Sequence, residues 1–347
     1  MWIVSVRDLQ FRARRFVIAV AVTSLVFGIA LAIDGMRRSV ESETPAIVSL
    51  FGADEWIVAR GAAGPFTTTR PVDAQLATAV ADSPGVRRAD PVVLSRTVIG
   101  GGSTKDANLV GHEVGGAGSP PVSEGRDVQR AGEVVLSAGT SASVGDSVVV
   151  GGEKFLLVGK TDEGRYAFGV PTAFVALEDA QRMVFKGAPL AMALAVRGRA
   201  AAPPGTKIVT NAQVRTDLDR PMKGGLQAIS ITAILMWLIA AGIIGLIVYL
   251  SAIERGRDFA IFKATGAPNR LVVGGLVLQA VFVALAAALV GLAVSRLVAK
   301  GMPVQTSLSA AAVLQLLVIA VVVGVLASLA AVRRAITTDP ATAFGGA

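Results

Sequence analysis

The sequence predicts an α-helical membrane protein with four transmembrane helices and a mixed α/β extracytoplasmic domain inserted between the first and second of them. Three observations predict it. The 347 residues are 53% hydrophobic and only 17% charged, with a mean hydropathy of +0.62, where a soluble domain is about a quarter charged. Four stretches long enough to cross a bilayer contain no charged side chain. The long interval between the first two, 34–227, changes to short β-rich runs and short helical patterns.

The first span, 16–33, makes about 27 Å of helix at ~1.5 Å per residue, close to the ~30 Å of a hydrocarbon core. An amphipathic continuation (Met36, Val40, Ile47, Leu50) extends this helix to about residue 50. A cleaved signal peptide is the alternative, with Ala30-Leu31-Ala32 as its cleavage site. The apolar run is longer than the roughly 7–15 residues of a typical signal core. The second span is 228–253, the third 271–295 and the fourth 309–332. A charge at mid-span costs about 2.5–3.5 kcal/mol on insertion scales, so charge-free windows of this length point to lipid. Gly28 with Ala32, Gly242 with Gly245, and Gly324 with Ala327 and Ala331 are spaced for close helix approach. An ion-coupled transporter normally places ionisable groups inside its spans, and these four have none.

The net charge of +8 and pI of about 10.3 raise the question of nucleic acid. The basic residues flank the apolar runs instead, without interleaved aromatics, which excludes nucleic acid as the partner and names the lipid bilayer. Arg7, Arg12, Arg14 and Arg15 precede the first span, Arg255, Arg257, Lys263 and Arg270 lie between the second and third, and Arg333 and Arg334 follow the fourth. Four spans put all of these on one side, which the positive-inside rule makes cytoplasmic; only Arg37 and Arg38 oppose it. The expected layout is a cytoplasmic segment 1–15, the first span with its extension, an extracytoplasmic domain 51–227, the second span, a cytoplasmic loop 254–270, the third span, a short outer loop 296–308, the fourth span, and a cytoplasmic tail 333–347. The expected location is therefore the cell membrane, multi-pass, with both termini cytoplasmic.

In the inserted domain, Val72, Leu76, Ala79 and Val80 are spaced as one helix face, ended by Ser83-Pro84-Gly85. Strands are expected at 91–94, 96–99, 133–136, 191–196 and 207–210, and a short helix at 177–184. Val148 to Val150, then Gly151-Gly152, then 154–158 reads as a β-hairpin with a tight glycine turn. Gly100 to Gly102 and Gly115 to Gly118 read as flexible loops.

The residues assemble no catalytic constellation, so the chain is not expected to be an enzyme. It has no cysteine, which removes disulfides, thiolate metal sites and thiol nucleophiles. Gly159-Lys160-Thr161 imitates the end of a phosphate-binding loop, but the position five before Gly159 is Lys154 where that motif needs glycine. His112 is the only histidine, too few for a histidine metal site, and is expected in a solvated loop beside Glu113. Glu178-Asp179 is expected on a helix surface.

The loop after the second span reads Glu254-Arg255-Gly256-Arg257-Asp258-Phe259-Ala260-Ile261-Phe262-Lys263-Ala264-Thr265-Gly266-Ala267. It resembles the E-R-x-R-E-I-G-I-L-R-A-L-G-A signature of the FtsX-like, MacB/LolC-type ABC transporter permeases. Arg333-Arg334-Ala335, followed by Asp339-Pro340-Ala341-Thr342-Ala343-Phe344, resembles that family's closing motif. Asp258, Phe259-Ala260, Phe262 and Lys263 depart mildly from the pattern. The order of one span, a large outer domain and three spans is also the family's layout. Independently of the name, Phe259 and Phe262 are i,i+3 neighbours beside charged Arg255, Asp258 and Lys263, an aromatic knob in a polar rim; the alternative is an interfacial helix with its rings among lipid headgroups.

The resemblance implies that Arg255, Arg257, Asp258, Phe259, Ile261, Phe262, Lys263, Thr265 and Gly266 couple to a separate ABC ATPase, present in two copies, which binds the ATP and Mg that this chain does not. It implies a second permease copy or homologue, and movement of the outer domains for export, extraction or mechanotransmission. Alternatives within the same reading are a regulator or scaffold of an extracytoplasmic cell-wall hydrolase, which adds an outer protein partner, and a permease for small solutes such as amino acids.

Overall fold

A computed structural model describes residues 13–100, 105–137, 142–254, 268–299 and 310–337. The chain divides into two compact units, Ser39–Gly225 and the pair of segments Met1–Arg38 with Leu226–Ala347. Helix α1 (Ala13–Leu50) begins in the second of these and ends in the first, so the expected extension of the first span forms.

The Ser39–Gly225 unit is built on one ten-stranded sheet. Its strands are β1 (Glu55–Ala59), β3 (Val86–Ile99), β4 (Lys105–His112), β5 (Glu124–Gly125), β6 (Glu133–Ser137), β7 (Ser147–Val150), β8 (Glu153–Thr161), β9 (Thr172–Ala176), β11 (Ala193–Gly198) and β12 (Thr206–Thr210). Two-residue strands β2 (Val72–Asp73) and β10 (Leu190–Ala191) pair separately. The helices of this unit beyond α1 are α2 (Leu76–Ala81), α3 (Leu177–Phe185) and α4 (Asn211–Asp219).

Strand β3 organises the sheet. Its first half pairs with β11, and β1 and β12 follow; its second half pairs with β4. From there β9, β6, β8 and β7 lead back to β3 at Ile99, opposite Val150, and close a six-stranded ring. Alternate side chains fill it: Val93, Leu109, Val134, Leu136, Val150, Phe155, Leu157, Ala173 and Val175 are all buried. Helix α3 packs on the ring through Ala180. A Cβ added to Gly111 would lie 2.1 Å from the Ala180 Cβ, so only glycine lets the helix approach this strand. A second core around Ile57, Val80, Leu194 and Val196 lies between the other half of the sheet and α2.

Several expectations are met and several corrected. The hairpin forms as β7 and β8, with Gly151 and Gly152 at φ of 59° and 90°, the left-handed backbone that a tight turn between twisted strands needs. The runs 91–94 and 96–99 are one strand, because Pro91 and Ser95 do not interrupt pairing that changes partner between them. The expected helix face starting at Val72 is wrong: Val72 lies in β2, the helix covers only Leu76–Ala81, and Ala77 rather than Ala79 is buried with Val80. Strand β4 was not expected at all. Its Asn108 and His112 mask it in the sequence, yet both are buried.

The other unit holds α5 (Lys223–Glu254), α6 (Asn269–Ala299) and α7 (Ala310–Thr337) with the first part of α1. Among the described residues, three helical stretches are long and apolar enough to cross a membrane: Val17–Leu50, Lys223–Glu254 and Val273–Val298. A fourth apolar stretch, Val313–Ser328 in α7, is shorter. Phe27, Leu31, Ile244, Val248, Val283, Ala287, Leu316 and Ala320 form the shared core of these helices. The opposite faces leave large apolar side chains exposed, among them Val17, Leu25, Leu238, Leu246, Phe282, Leu289, Leu314 and Leu326. Water would not tolerate such rows on several helices at once, whereas lipid would.

Candidate functional site

The nine residues expected to meet an ATPase, Arg255, Arg257, Asp258, Phe259, Ile261, Phe262, Lys263, Thr265 and Gly266, lie outside the described residues, as do Asp339 and Pro340. Arg333 and Arg334 fall in the final turns of α7. The helices that carry the coupling stretch are described: α5 ends at Glu254 and α6 starts at Asn269. Along their length these helices pack on α1 and α7 through small residues.

A Cβ on Gly28 of α1 would lie 2.6 Å from the Val294 Cγ1 of α6, and one on Gly291 would lie 3.0 Å from the Phe27 Cβ. A Cβ on Gly324 of α7 would come within 2.9 Å of the Val281 Cα, and one on Gly245 of α5 within 3.2 Å of the Ala327 carbonyl oxygen. These are backbone-to-backbone approaches of the kind membrane helices use where no hydrophobic force draws them together. The Phe27 and Trp237 rings, with centroids 5.3 Å apart, add a contact between α1 and α5. Of the small residues picked from the sequence, Gly28, Gly245 and Gly324 sit at helix contacts, while a Cβ on Gly242 would meet nothing.

The same contacts order the helix ends. Arg38 donates to the Gln315 side chain, so the α1 end at Arg38 is level with the start of α7. Gly28 meets the later part of α6, and Gly324 its earlier part. The end of α5 at Glu254 and the start of α6 at Asn269 therefore lie at the end of this bundle opposite Arg38. At the Arg38 end, Asp34 accepts from both anomalous arginines: Arg37 Nη2 donates at 3.0 Å and Arg38 Nε at 2.8 Å. One carboxylate thus offsets much of the charge that opposed the positive-inside rule.

Buried charge in the Ser39–Gly225 unit is arranged for structure. Glu133 accepts two hydrogen bonds from Arg126, at 2.7 and 2.6 Å, and one each from Arg130 and the Gln129 N–H. The Arg126 guanidinium above all holds the Glu133 carboxyl at about 2. Asp179 is fully buried, not on the helix surface expected for it. It accepts from the Gly132 N–H at 2.7 Å and from Arg182 at 2.6 Å, tying α3 to the start of β6. Asp217 accepts from the Phe66 and Thr67 N–H groups and so pins the 62–68 loop to α4. That loop joins an aromatic cluster in which Phe51 packs edge-on against Trp56 and Phe66, and Phe66 against Tyr166. Burial pushes the Tyr166 hydroxyl far above its ordinary range.

His112 is also a correction, since it ends β4 and is 1% exposed rather than solvated. Its Nδ1 lies 2.8 Å from the Glu113 carbonyl oxygen, 3.2 Å from the Ser119 hydroxyl, and its Nε2 3.9 Å from Asp127. Serine, histidine and carboxylate thus meet, but not as a catalytic triad. A carbonyl only accepts, so Nδ1 carries the proton and cannot take one from Ser119. Burial lowers the imidazole pKa, against the Glu113 contact and the Asp127 charge, which raise it. Gly159, Lys160 and Thr161 lie within strand β8, with no helix following to form a phosphate cradle.

Comparison with known proteins gives the family. Residues 16–211 match the MacB-like periplasmic core domain, and residues 230–340 match the FtsX-like permease C-terminal model. The chain belongs to the MacB/FtsX-type ABC transporter permeases. Two uncharacterized ABC transporter permeases of Mycobacterium tuberculosis are each 38% identical to it, over 348 and 349 residues, with 100% of both chains covered. An uncharacterized ABC transporter permease of Mycobacterium bovis is likewise 38% identical over 348 residues, with 100% of both chains covered. Among solved structures, the periplasmic region of MacB from Actinobacillus actinomycetemcomitans covers 50% of this permease, at 11% identity and a TM-score of 0.36, with 95% of that chain aligned. The extracellular domain of the noncanonic ABC-type transporter YknZ from Gram-positive bacteria covers 49%, at 13% identity and a TM-score of 0.33, with 95% of that chain aligned. The permease is a membrane protein whose inserted α/β unit is of the MacB extracytoplasmic kind.

Proposed function

We propose that this permease is the transmembrane half of a mechanotransmission machine. It converts ATP hydrolysis in a separate ATPase into movement of its outer α/β unit, for export, extraction or a regulatory stroke. The observation that carries this reading is the arrangement of the helical unit: α5 ends and α6 starts opposite the Arg38 end of α1, beyond which the chain enters the α/β unit. A force applied to residues 255–268 acts on α5 and α6 together. Helix α6 passes it to α1 through the Gly28 and Gly291 contacts, and α7 receives it through Gly324 and Gly245. Both α1 and α5 continue directly into the α/β unit.

In this proposal α7 is the fourth span, both termini and the 254–270 stretch are cytoplasmic, and the assembly holds two permeases and two ATPases. The chain itself hydrolyses nothing; ATP and Mg bind the partner. Phe259 and Phe262 enter a groove on the ATPase, with Arg255, Asp258 and Lys263 around them. ATP drives the cycle because the ATPase dimer binds it with different affinity in two permease conformations.

The combined change Phe259→Ala and Phe262→Ala is expected to release the ATPase during affinity purification from detergent, with membrane insertion unchanged. Undiminished co-purification would reject the docking role. A reporter inserted within residues 113–116 is expected to read as non-cytoplasmic, and a cytoplasmic signal would overturn the orientation.

A further inference from the structure

Strand β3 has an unfilled edge. On one side its second half pairs with β4 from Val93 to Ile99. On the other side β11 pairs with it only as far as Val92, and the β7 hairpin reaches it only at Ile99. The last contact of the first neighbour is Met192 N–H to the Val92 carbonyl, at 2.9 Å. The first of the second is Gly151 N–H to the Val98 carbonyl, also 2.9 Å. Between them runs an interval of about 20 Å at ~3.3 Å per residue.

The direction of the backbone groups in this interval follows from the register. Asn108 lies opposite Arg96 but turns its N–H away from β3, to the Pro171 carbonyl at 2.8 Å. The Arg96–Asn108 pair therefore exchanges no hydrogen bonds, and Arg96 points its own N–H and C=O away from β4. By the same alternation Leu94 and Val98 do so too, as the Gly151 bond to Val98 requires. Among the described residues, no backbone group meets the N–H groups of Leu94, Arg96 or Val98 on that side. The Arg96 carbonyl receives only the hydroxyl of its neighbour Ser95, at 3.3 Å.

A groove of about 700 Å³ runs along this edge. Helix α3 forms its far wall with Met183 and Val184, and Ser95, Thr97 and Leu109 line the strand side. Gly151 closes one end, where the Met183 methyl lies so near that a Cβ would come within 2.5 Å. The wall is held rigidly: Arg182 is paired to Glu153 at 2.9 Å and to buried Asp179 at 2.6 Å. Folded proteins normally blunt an exposed edge with proline, a bulge or an inward charge. Here the edge lies beside a helix, and charged Arg96, Asp106, Glu153 and Arg182 line the groove together with its apolar residues and two hydroxyls.

We propose that this groove binds an extended peptide segment of an extracytoplasmic partner protein, which adds one strand to β3 between β11 and the β7 hairpin. Its backbone meets the N–H and C=O groups of Leu94 and Arg96 and the Val98 N–H. One aliphatic side chain, pointing inward, sits among Ser95, Thr97, Leu109, Met183 and Val184. A backbone ladder supplies affinity and that single pocket supplies selection, the division of labour of strand addition. A row of unpaired amide donors and acceptors beside a partly apolar, partly charged lining matches an extended backbone. The inference concerns a protein contact made by the α/β unit and does not depend on how the ATPase is coupled.

The full chain in lipid nanodiscs, panned against a phage library of random dodecapeptides, supplies the probe, and the selected peptide is then measured by fluorescence polarisation. Arg96→Pro deletes an N–H that faces the open edge and leaves the β4 ladder intact. Met183→Trp fills the floor. Each is expected to weaken the peptide by at least about tenfold. N-methylation along the peptide on the unaltered chain is expected to abolish binding at alternate positions only. The proposal is overturned if no peptide is retained above empty nanodiscs, if both variants bind as the parent does, or if the N-methyl losses show no alternation. It is equally overturned if no peptide is selected and the chain instead self-associates in a way that Arg96→Pro abolishes, which would make a second copy the occupant.

Discussion

The α/β unit and the helical unit of this permease solve the same packing problem with different materials. In the α/β unit, elements are locked by large side chains in a closed ring and by carboxylates that are buried with full sets of donors, as at Glu133 and Asp179. In the helical unit the described core is mostly alanine, valine and leucine, and closeness comes from Gly28, Gly245, Gly291 and Gly324. The difference follows from solvent. Water drives apolar side chains together and rewards satisfied charge at a boundary, whereas lipid leaves only close contact and backbone satisfaction to hold helices.

The largest expected break comes at Gly111, where α3 packs on β4 closely enough that only glycine fits. Gly111→Val puts its Cβ into Ala180 and is expected to cost about 3 kcal/mol, at the upper end of overpacking, read as a lowered unfolding midpoint of the α/β unit. An unchanged midpoint would show that α3 floats on the ring. In the helical unit, Gly324→Val is expected to cost about 2 kcal/mol, while Gly242→Val, which meets open space, is expected to leave the detergent melting point unchanged. Equal effects at both positions would remove glycine packing as the explanation. Smaller effects concern pH.

Glu133 titrates at about 2 instead of the ordinary 4.5. A depressed carboxyl contributes stability that is complete above the unfolded value and is lost as pH falls from 4.5 toward 2. Glu133→Gln is therefore expected to lower stability at neutral pH and to flatten the acid limb of the profile. His112, with a pKa below its ordinary 6.5, favours the neutral ring. Its contribution is complete above 6.5 and declines as pH falls below it, because the unfolded chain takes up the proton first. His112→Gln is expected to remove only this shallow slope, and a parent profile flat between 5 and 7, pH values bracketing the ordinary value, would contradict it.

Much of the fold was legible because its signals are local. Apolar length between charges marks spans, and Val148 to Leu157 with two central glycines marks a hairpin whatever surrounds it. The misreadings share a cause. His112, Asn108 and Asp179 are polar residues whose burial is made tolerable by partners outside their own elements: Ser119, Val170 and Gly132. A local pattern assigns such residues to the surface. Val72 and Leu76 have helical spacing, yet Val72 pairs with Ala191, more than a hundred positions away. The residues expected to couple to an ATPase rest on motif resemblance and lie outside the described residues, while the helices on either side of them, α5 and α6, are described.

By itself the sequence determined the apolar helices, the mixed α/β unit inserted after the first of them and the family motifs, since hydropathy, charge and short motifs are properties of neighbours along the chain. Only the tertiary structure decided which glycines touch another helix, that a single strand is shared by two halves of a sheet, and that its edge between Val92 and Val98 is left open. Those are facts about register and approach, set by pairing between residues that the chain keeps far apart.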